Sequence, residues 1–185
     1  AAERFHSQTA SDFRTRLVAD AERGNPDTAL AREIFAWLKE QTVLTTRREG
    51  LMGSNLLNTA ITARVAQSSR DRALVPIIAT NNNYRLGIFN GDTGFITSVQ
   101  GREYAVMEAS EGEVICVPLS ELSSWQGAYA ITVHKSQGSE YGEVWLVYEE
   151  NEKAVFEDFR LLYTAVTRAK NHAHILQVTA TGKRP

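Results

Sequence analysis

Between two apolar runs, AITV and VWLVY, the chain carries the polar segment HKSQGSEYGE, residues 134–143. Thr132, His134, Lys135 and Ser136 supply cationic and hydroxyl donors of the kind that hold phosphate oxygens. Gln137 adds a further polar contact, Gly138 lets the backbone close on a ligand, and Glu140 is an acceptor suited to a ribose hydroxyl. A second group lies in LLYTAVTRAKNHAHI, where Tyr163, Val166 and Ala169 share one side of a helical pattern and Thr167, Arg168 and Lys170 fall near its end. An arginine held there can reach across a cleft with a rigid planar fork, which fits phosphoryl oxygens better than a lysine does. Each group also has a plainer reading. The first can be a solvated turn between strands, and the second a helix C-terminus whose dipole favours a cation.

The elements that must position these residues follow from hydrophobic rhythm. Thr9 or Ser11 can cap a helix carrying Phe13, Leu17, Val18 and Ala21, which Gly24 to Pro26 ends. Asp27 or Thr28 can cap a second, with Leu30, Ile34, Phe35 and Leu38 as its apolar stripe. From Val43 short apolar runs alternate with helical patterns: VLTT, SNLLNTAITARV, VPIIAT, AITV, VWLVY, DFRLLYTAVTRAK and HILQV. Such alternation predicts an α/β domain with a mostly parallel sheet and helices on both faces. Ligands of such sheets bind beyond the carboxyl ends of the strands, where a loop following AITV would sit. Residues 91–126 break the rhythm with β-prone runs separated by QGRE and SEGE, the pattern of a small inserted β module of roughly 35 residues that can close into a barrel. The run QSSRDR, residues 67–72, reads as a surface loop.

Bulk properties bound the function. A chain of 185 residues, 43% hydrophobic, suits one domain with a small insertion. The 20 Lys and Arg against 22 Asp and Glu leave a formal charge of -2, so any contact with nucleic acid must be local. The single cysteine, Cys116, sits in the apolar run VICVPL and reads as a buried thiol, which together with the absence of a signal or a membrane-length apolar stretch points to the cytoplasm. The N-terminus AAERFHSQ lacks an initiator Met, which suggests an excised part of a longer chain.

Taken together, the motifs carry a resemblance. ITVHKSQGSEY resembles motif V of superfamily 1 helicases and LLYTAVTRAK resembles motif VI, at the spacing usual in that group. TTRREGLMGSNLLN and NNNYRLGIFNGDTG are similar to two stretches of its RecD-type branch, the alpha chain of exodeoxyribonuclease V. The resemblance implies a RecA-like second motor domain of the P-loop NTPase type over residues 1–90 and 127–185, with leading helices in 1–42 and an inserted SH3-like β-barrel over 91–126. It implies an ATP-driven DNA helicase of recombinational repair, using ATP and Mg²⁺ in the full-length protein. Its expected partners are single-stranded DNA, an upstream first motor domain and other exodeoxyribonuclease V subunits, with no membrane contact.

Carried over residue by residue, the resemblance places Thr132, His134, Lys135 and Ser136 near the DNA backbone, with Asn82 and Tyr84 as further DNA contacts. Gly138, Gln137, Glu140 and Arg48 face the nucleotide, and Arg168 is the catalytic arginine at the γ-phosphate. Asn90, Gly91, Asp92 and Gly94 read as turn chemistry. Tyr84 either stacks a base or covers a core edge.

A helicase motor also needs a GxxxxGK[ST] phosphate cradle and an acid that holds Mg²⁺. The chain contains no such cradle, Gly182-Lys183 being followed by Arg-Pro, and Glu149 and Glu150 after VWLVY imitate the metal acid without a cradle to share it. No metal ligand is expected here, nor tight nucleotide binding or ATP hydrolysis by this chain alone. The other class of function is a non-enzymatic module, binding DNA or docking protein, in which the nucleotide residues are vestigial.

Overall fold

The computed structural model describes residues 15–20, 28–68, 74–109, 112–150 and 159–179. The expected caps at Thr9, Ser11 and Asp27, the residues of QSSRDR beyond Ser68, and Gly182-Lys183 lie outside them. In chain order the elements are α1 (15–20), α2 (Thr28–Leu38), β1 (Gln41–Thr45), α3 (Ser54–Ser68), β2 (Val75–Ala79), β3 (Thr93–Val99), β4 (Arg102–Glu108), β5 (Val114–Pro118), β6 (Trp125–Gly127), β7 (Ala130–Thr132), β8 (Tyr141–Glu149), α4 (Phe159–Val166) and β9 (Ala169–Val178). Short 3₁₀ turns occupy Leu119–Glu121 and Val133–Ser136. The chain divides into two compact units, Ala1–Leu38 with Ile61–Ala128, and Lys39–Ala60 with Tyr129–Pro185.

The second unit holds the parallel sheet, in the order β7-β1-β8-β9. Its strands are the runs VLT, AIT, VWLVY and HILQV that the apolar rhythm predicts. Along β8, Val144, Leu146 and Tyr148 turn inward and are buried, while the alternate residues Glu143, Trp145 and Val147 are half-buried. Trp145 stacks on His174 of β9 with ring centroids 4.0 Å apart. β8 and β9 slip register between Tyr141 and Glu143, at Gly142, whose backbone approaches Glu40 so closely that a Cβ would stand 2.7 Å from the Glu40 carbonyl oxygen.

The first unit is built on a five-stranded antiparallel sheet, β5-β4-β3-β2-β6. α2 lays Ala31, Ile34 and Phe35 on one face against Leu74, Phe95, Val106 and Val114, and the Phe35 and Phe95 rings sit 5.5 Å apart. Ile77, Ala79, Ile96, Ala105 and Met107 belong to a second cluster, which Ile88 and Leu122 complete. Phe95 with Ile96, and Val106 with Met107, thus divide between the two clusters, as the period of a strand requires.

Two expectations change here. VPIIAT does not join the parallel sheet: β2 pairs antiparallel with β3 and β6. A continuous apolar run marks a strand buried on both faces and says nothing of its partners' direction. Pro76 is tolerated in this inner strand because it lies where the β6 ladder ends, with its carbonyl still accepting from Ala128 N at 2.8 Å. The β module therefore draws in residues on either side of 91–126, and its strands form an open order with β5 and β6 at the edges among the described residues.

Candidate functional site

In the second unit, β1 and β7 end in register, Thr45 beside Thr132, and Thr45 also faces Val147 of β8. The loops leaving these strands form the C-terminal border of the sheet. After β7 the chain makes a single 3₁₀ turn, Val133–Ser136, capped by the Thr132 hydroxyl, which accepts from Lys135 N at 3.4 Å. Ser136 is fully buried and donates its hydroxyl to Val133 O at 2.7 Å. Ser136 thus spends its hydroxyl proton on the turn, Thr132 only accepts there, and what the turn turns outward is His134 and, half-buried, Lys135.

Arg48 lies in the neighbouring loop. Burial and the Arg48 charge together hold the Lys135 ammonium below the usual lysine value. The Arg48 loop is pinned at both ends: Thr45 Oγ1 donates to Arg47 O at 2.9 Å, Met52 N to Glu149 Oε1 at 3.2 Å, and Asn55 Nδ2 to Glu49 Oε1 at 2.6 Å. The Arg48 charge thus reaches Lys135 from the neighbouring loop at the same border of the sheet.

Gln137 and Gly138 follow, both exposed, with Gly138 at φ +85° and open space around it. The segment then runs back to the start of β8, where Tyr141 N donates to Arg168 O at 2.8 Å. Arg168 is half-buried at this opposite, N-terminal border. Its Nε donates to Thr164 O at 3.1 Å, Nη1 to Ser139 O at 3.4 Å and Nη2 to Thr167 Oγ1 at 3.3 Å. Burial pushes the Tyr141 phenol up, while the Ser139 hydroxyl and the Arg168 charge pull it back. Glu140 is exposed and pairs with Lys170 at 3.3 Å, a contact between two solvated side chains that is easily exchanged for a ligand.

The sheet thus separates the expected residues into two groups. Gly138, Glu140 and Arg168 gather at the N-terminal border, and His134, Lys135 and Arg48 at the C-terminal one. Six residue steps along β8, from Tyr141 to Val147, separate the two levels, a span of about 20 Å at ~3.3 Å per residue. Arg48, expected at the nucleotide, is therefore a neighbour of Lys135 and not of Arg168. Among the described residues no group of three or more His, Cys, Asp or Glu could hold a metal ion. Glu149, the acid that imitates a Mg²⁺ ligand in sequence, is engaged by Met52 N. These residues fit an accessory role toward a triphosphate, one anchored guanidinium with N–H groups to spare, and not a phosphate cradle.

Asn82 and Tyr84 lie in the first unit, on the loop between β2 and β3. Tyr84 is 79% exposed and covers no core edge. The turn residues behave as read: Asp92 Oδ2 accepts from Phe89 N at 2.8 Å, Gly91 at φ +103° donates to Ala79 O at 3.0 Å, and a Cβ on Gly94 would run into Val106 O and Met107.

One residue escaped the reading of the motifs. Asn58, on α3, is buried and places its amide against Ala130: Nδ2 donates to Ala130 O at 2.7 Å, and Ala130 N donates to Asn58 Oδ1 at 2.9 Å. It occupies the open side of β7 as a further strand would, and fixes the residue two places before Thr132. Its only signal in sequence is an amide in the otherwise apolar stretch NLLNTAI.

Residues 127–176 match the family of UvrD-like helicase C-terminal domains. The chain is also similar to RecD-type proteins. It is 31% identical over 167 residues to the RecBCD enzyme subunit RecD of Mycobacterium tuberculosis, an alignment covering 87% of this chain and 28% of that protein. It is also 34% identical over 138 residues to the ATP-dependent RecD2 DNA helicase of Deinococcus radiodurans, across 70% of this chain and 19% of that one. The chain thus spans less than a third of the length of these relatives. The Pif1 helicase of Candida albicans shares the fold with a TM-score of 0.50 at 14% identity, covering 86% of this chain and 52% of that structure. No helix among the described residues is long and apolar enough to cross a membrane.

Proposed function

We propose that the chain is the second motor domain of an ATP-dependent DNA helicase of the RecD type, a RecA-like fold with a small inserted β module, working in recombinational repair. The observation that carries this is the separation of two cationic groups to opposite borders of one parallel sheet. A motor needs two such places, one for the nucleotide and one for the strand it moves along.

At the N-terminal border Arg168 acts as the arginine finger. ATP supplies the phosphoanhydride, and the upstream domain supplies the cradle and the metal. Thr164 O, Ser139 O and the Thr167 hydroxyl orient the guanidinium, leaving N–H groups to meet the charge that builds on the phosphoryl oxygens in the transition state. Gly138 and Gln137 leave the approach open, and Glu140 exchanges Lys170 for a ribose hydroxyl. At the C-terminal border Lys135 and His134 hold backbone phosphates of single-stranded DNA, and the position of Arg48 beside Lys135 supports its assignment to the same strand. Relatives named as RecBCD subunits support an assembly with further subunits.

The test is a double dissociation in the chain rejoined to its upstream half. Arg168→Ala is expected to lose ATPase while keeping single-stranded DNA affinity. Arg48→Ala with Lys135→Ala is expected to lose DNA affinity while keeping the ATPase measured without DNA. Loss of both activities in each variant, or of neither, refutes the two-border reading.

A further inference from the structure

We propose that Tyr84 and Phe89 form a base-stacking platform for single-stranded nucleic acid, on the loop between β2 and β3; the proposal rests on the DNA-binding reading above and adds a mode of contact that the phosphate-binding residues do not supply.

The loop is rigid where a solvated loop has no reason to be. Asn83 and Ile88 form a β-bridge, Leu86 N donates to both the carbonyl and Oδ1 of Asn83 at 3.2 Å, and Asn90 N donates to Asn82 Oδ1 at 2.9 Å. Ile88 is fully buried and anchors the loop in the core of its unit. From this frame Tyr84 projects 79% exposed, with Phe89 at 37% beside it. Their rings meet edge to face, with centroids 6.0 Å apart and planes at 79°. Such a pair fixes the tilt of the Tyr84 ring, and Asn82 Nδ2 donates to its phenol oxygen at 3.2 Å. Asn82 is therefore a positioning residue, its amide spent on Tyr84 and on Asn90 N.

The chemistry around the rings selects the occupant. The exposed side chains of the loop beside the two rings are Asn81, Asn82, Arg85 and Asn90, three uncharged amides and one cation. The acids brought in by the loop's contacts are already engaged, Asp92 by Phe89 N and Glu121 by Arg85 at 2.8 Å. A flat, pre-set ring amid amides, with the nearby carboxylates occupied, suits a nucleobase joined to a phosphate chain. Because every base has a π face, the contact is tolerant of sequence, as a translocating motor requires.

The experiment compares a labelled oligothymidylate with an abasic oligonucleotide of equal phosphate count, by fluorescence anisotropy, on the chain and its Tyr84→Ala, Tyr84→Trp and Phe89→Leu variants. Tyr84→Ala is expected to weaken oligothymidylate binding by roughly 5-fold or more and leave abasic binding and the salt slope unchanged. Tyr84→Trp should bind at least as tightly as the parent, and Phe89→Leu should fall between parent and Tyr84→Ala. Because Tyr84 is exposed, unchanged melting should accompany every Tyr84 variant. Oligothymidylate binding that ignores Tyr84→Ala, or a loss equal on the abasic strand, overturns the platform and leaves the DNA reading standing. Failure of the parent chain to bind either strand overturns both.

Discussion

Replacing Asn58 tests how the loop that carries His134 and Lys135 is held. Ala130 is fully buried, and its N–H and C=O point to the side of β7 where no strand follows among the described residues; the Asn58 amide meets both, at 2.9 and 2.7 Å. Asn58→Ala removes two hydrogen bonds and strands a buried donor and a buried acceptor, each costing ~1–3 kcal/mol when unsatisfied. Water entering the vacated space recovers part of this, so the expected loss is about 2–4 kcal/mol. At ~2–4 °C per kcal/mol for a chain of this size, melting should fall by roughly 5–15 °C. Asn58→Asp keeps the acceptor for Ala130 N but sets a carboxylate against Ala130 O. Its folded-state pKa should rise above the unfolded value, so the variant should gain relative stability as pH falls and lose it as pH climbs through the folded pKa. Denaturant melts with hydrogen exchange read at the Ala130 amide would measure both. An Asn58→Ala loss below ~1 kcal/mol, with that amide still protected, would refute the claim that the side chain stands in for a strand.

Three further outcomes follow from the two borders. In the rejoined motor, Arg168→Ala should cut steady-state ATPase by ~10³ or more, and Arg168→Lys should recover little of it, because a point charge cannot reproduce the fork. Were the contact to Thr164 O the whole role of Arg168, Lys would restore turnover and both variants would lose only modest stability, which parallel melts would show. Since burial and the Arg48 charge hold Lys135 below its usual value, it sheds its charge at lower pH than a free lysine; single-stranded DNA affinity should weaken as pH is raised through the alkaline range, and Lys135→Arg should abolish that trend in an anisotropy titration. The chain alone should show no ATP turnover above background, and sustained turnover indifferent to Arg168→Ala would contradict its place as an accessory half.

Where local rhythm decides structure, the sequence was readable. AIT, VWLVY and HILQV are strands because their apolar runs are bounded by polar turns, and α2 buries Ala31, Ile34 and Phe35 at helical spacing. Direction of pairing was not readable, because the apolar run VPIIA is equally suited to a parallel or an antiparallel interior, and its partners lie far along the chain. In the site, residue type announced the donors but not their availability. Ser136 looks like a phosphate donor, yet its hydroxyl proton goes to Val133 O within the 3₁₀ turn. Motif order says nothing of which side chains lie beside Arg48, because strand register, a long-range fact, fixes that. Asn58 acts through the main chain of a residue 72 positions away, which no local pattern contains.

The register that joins the two borders makes the sheet a strut. With β1, β7 and β8 locked side by side, the Arg48 and Lys135 end cannot swing without the Arg168 end swinging too. Over a lever of about 20 Å, a tilt of roughly 3° carries the far end about 1 Å. A misplacement of ~1 Å at reacting atoms is enough to cost ~10²-fold in rate. In the motor proposed above, an advance along the strand by much less than one nucleotide spacing would suffice, by leverage alone, to move the Arg168 guanidinium toward or away from the phosphoryl group.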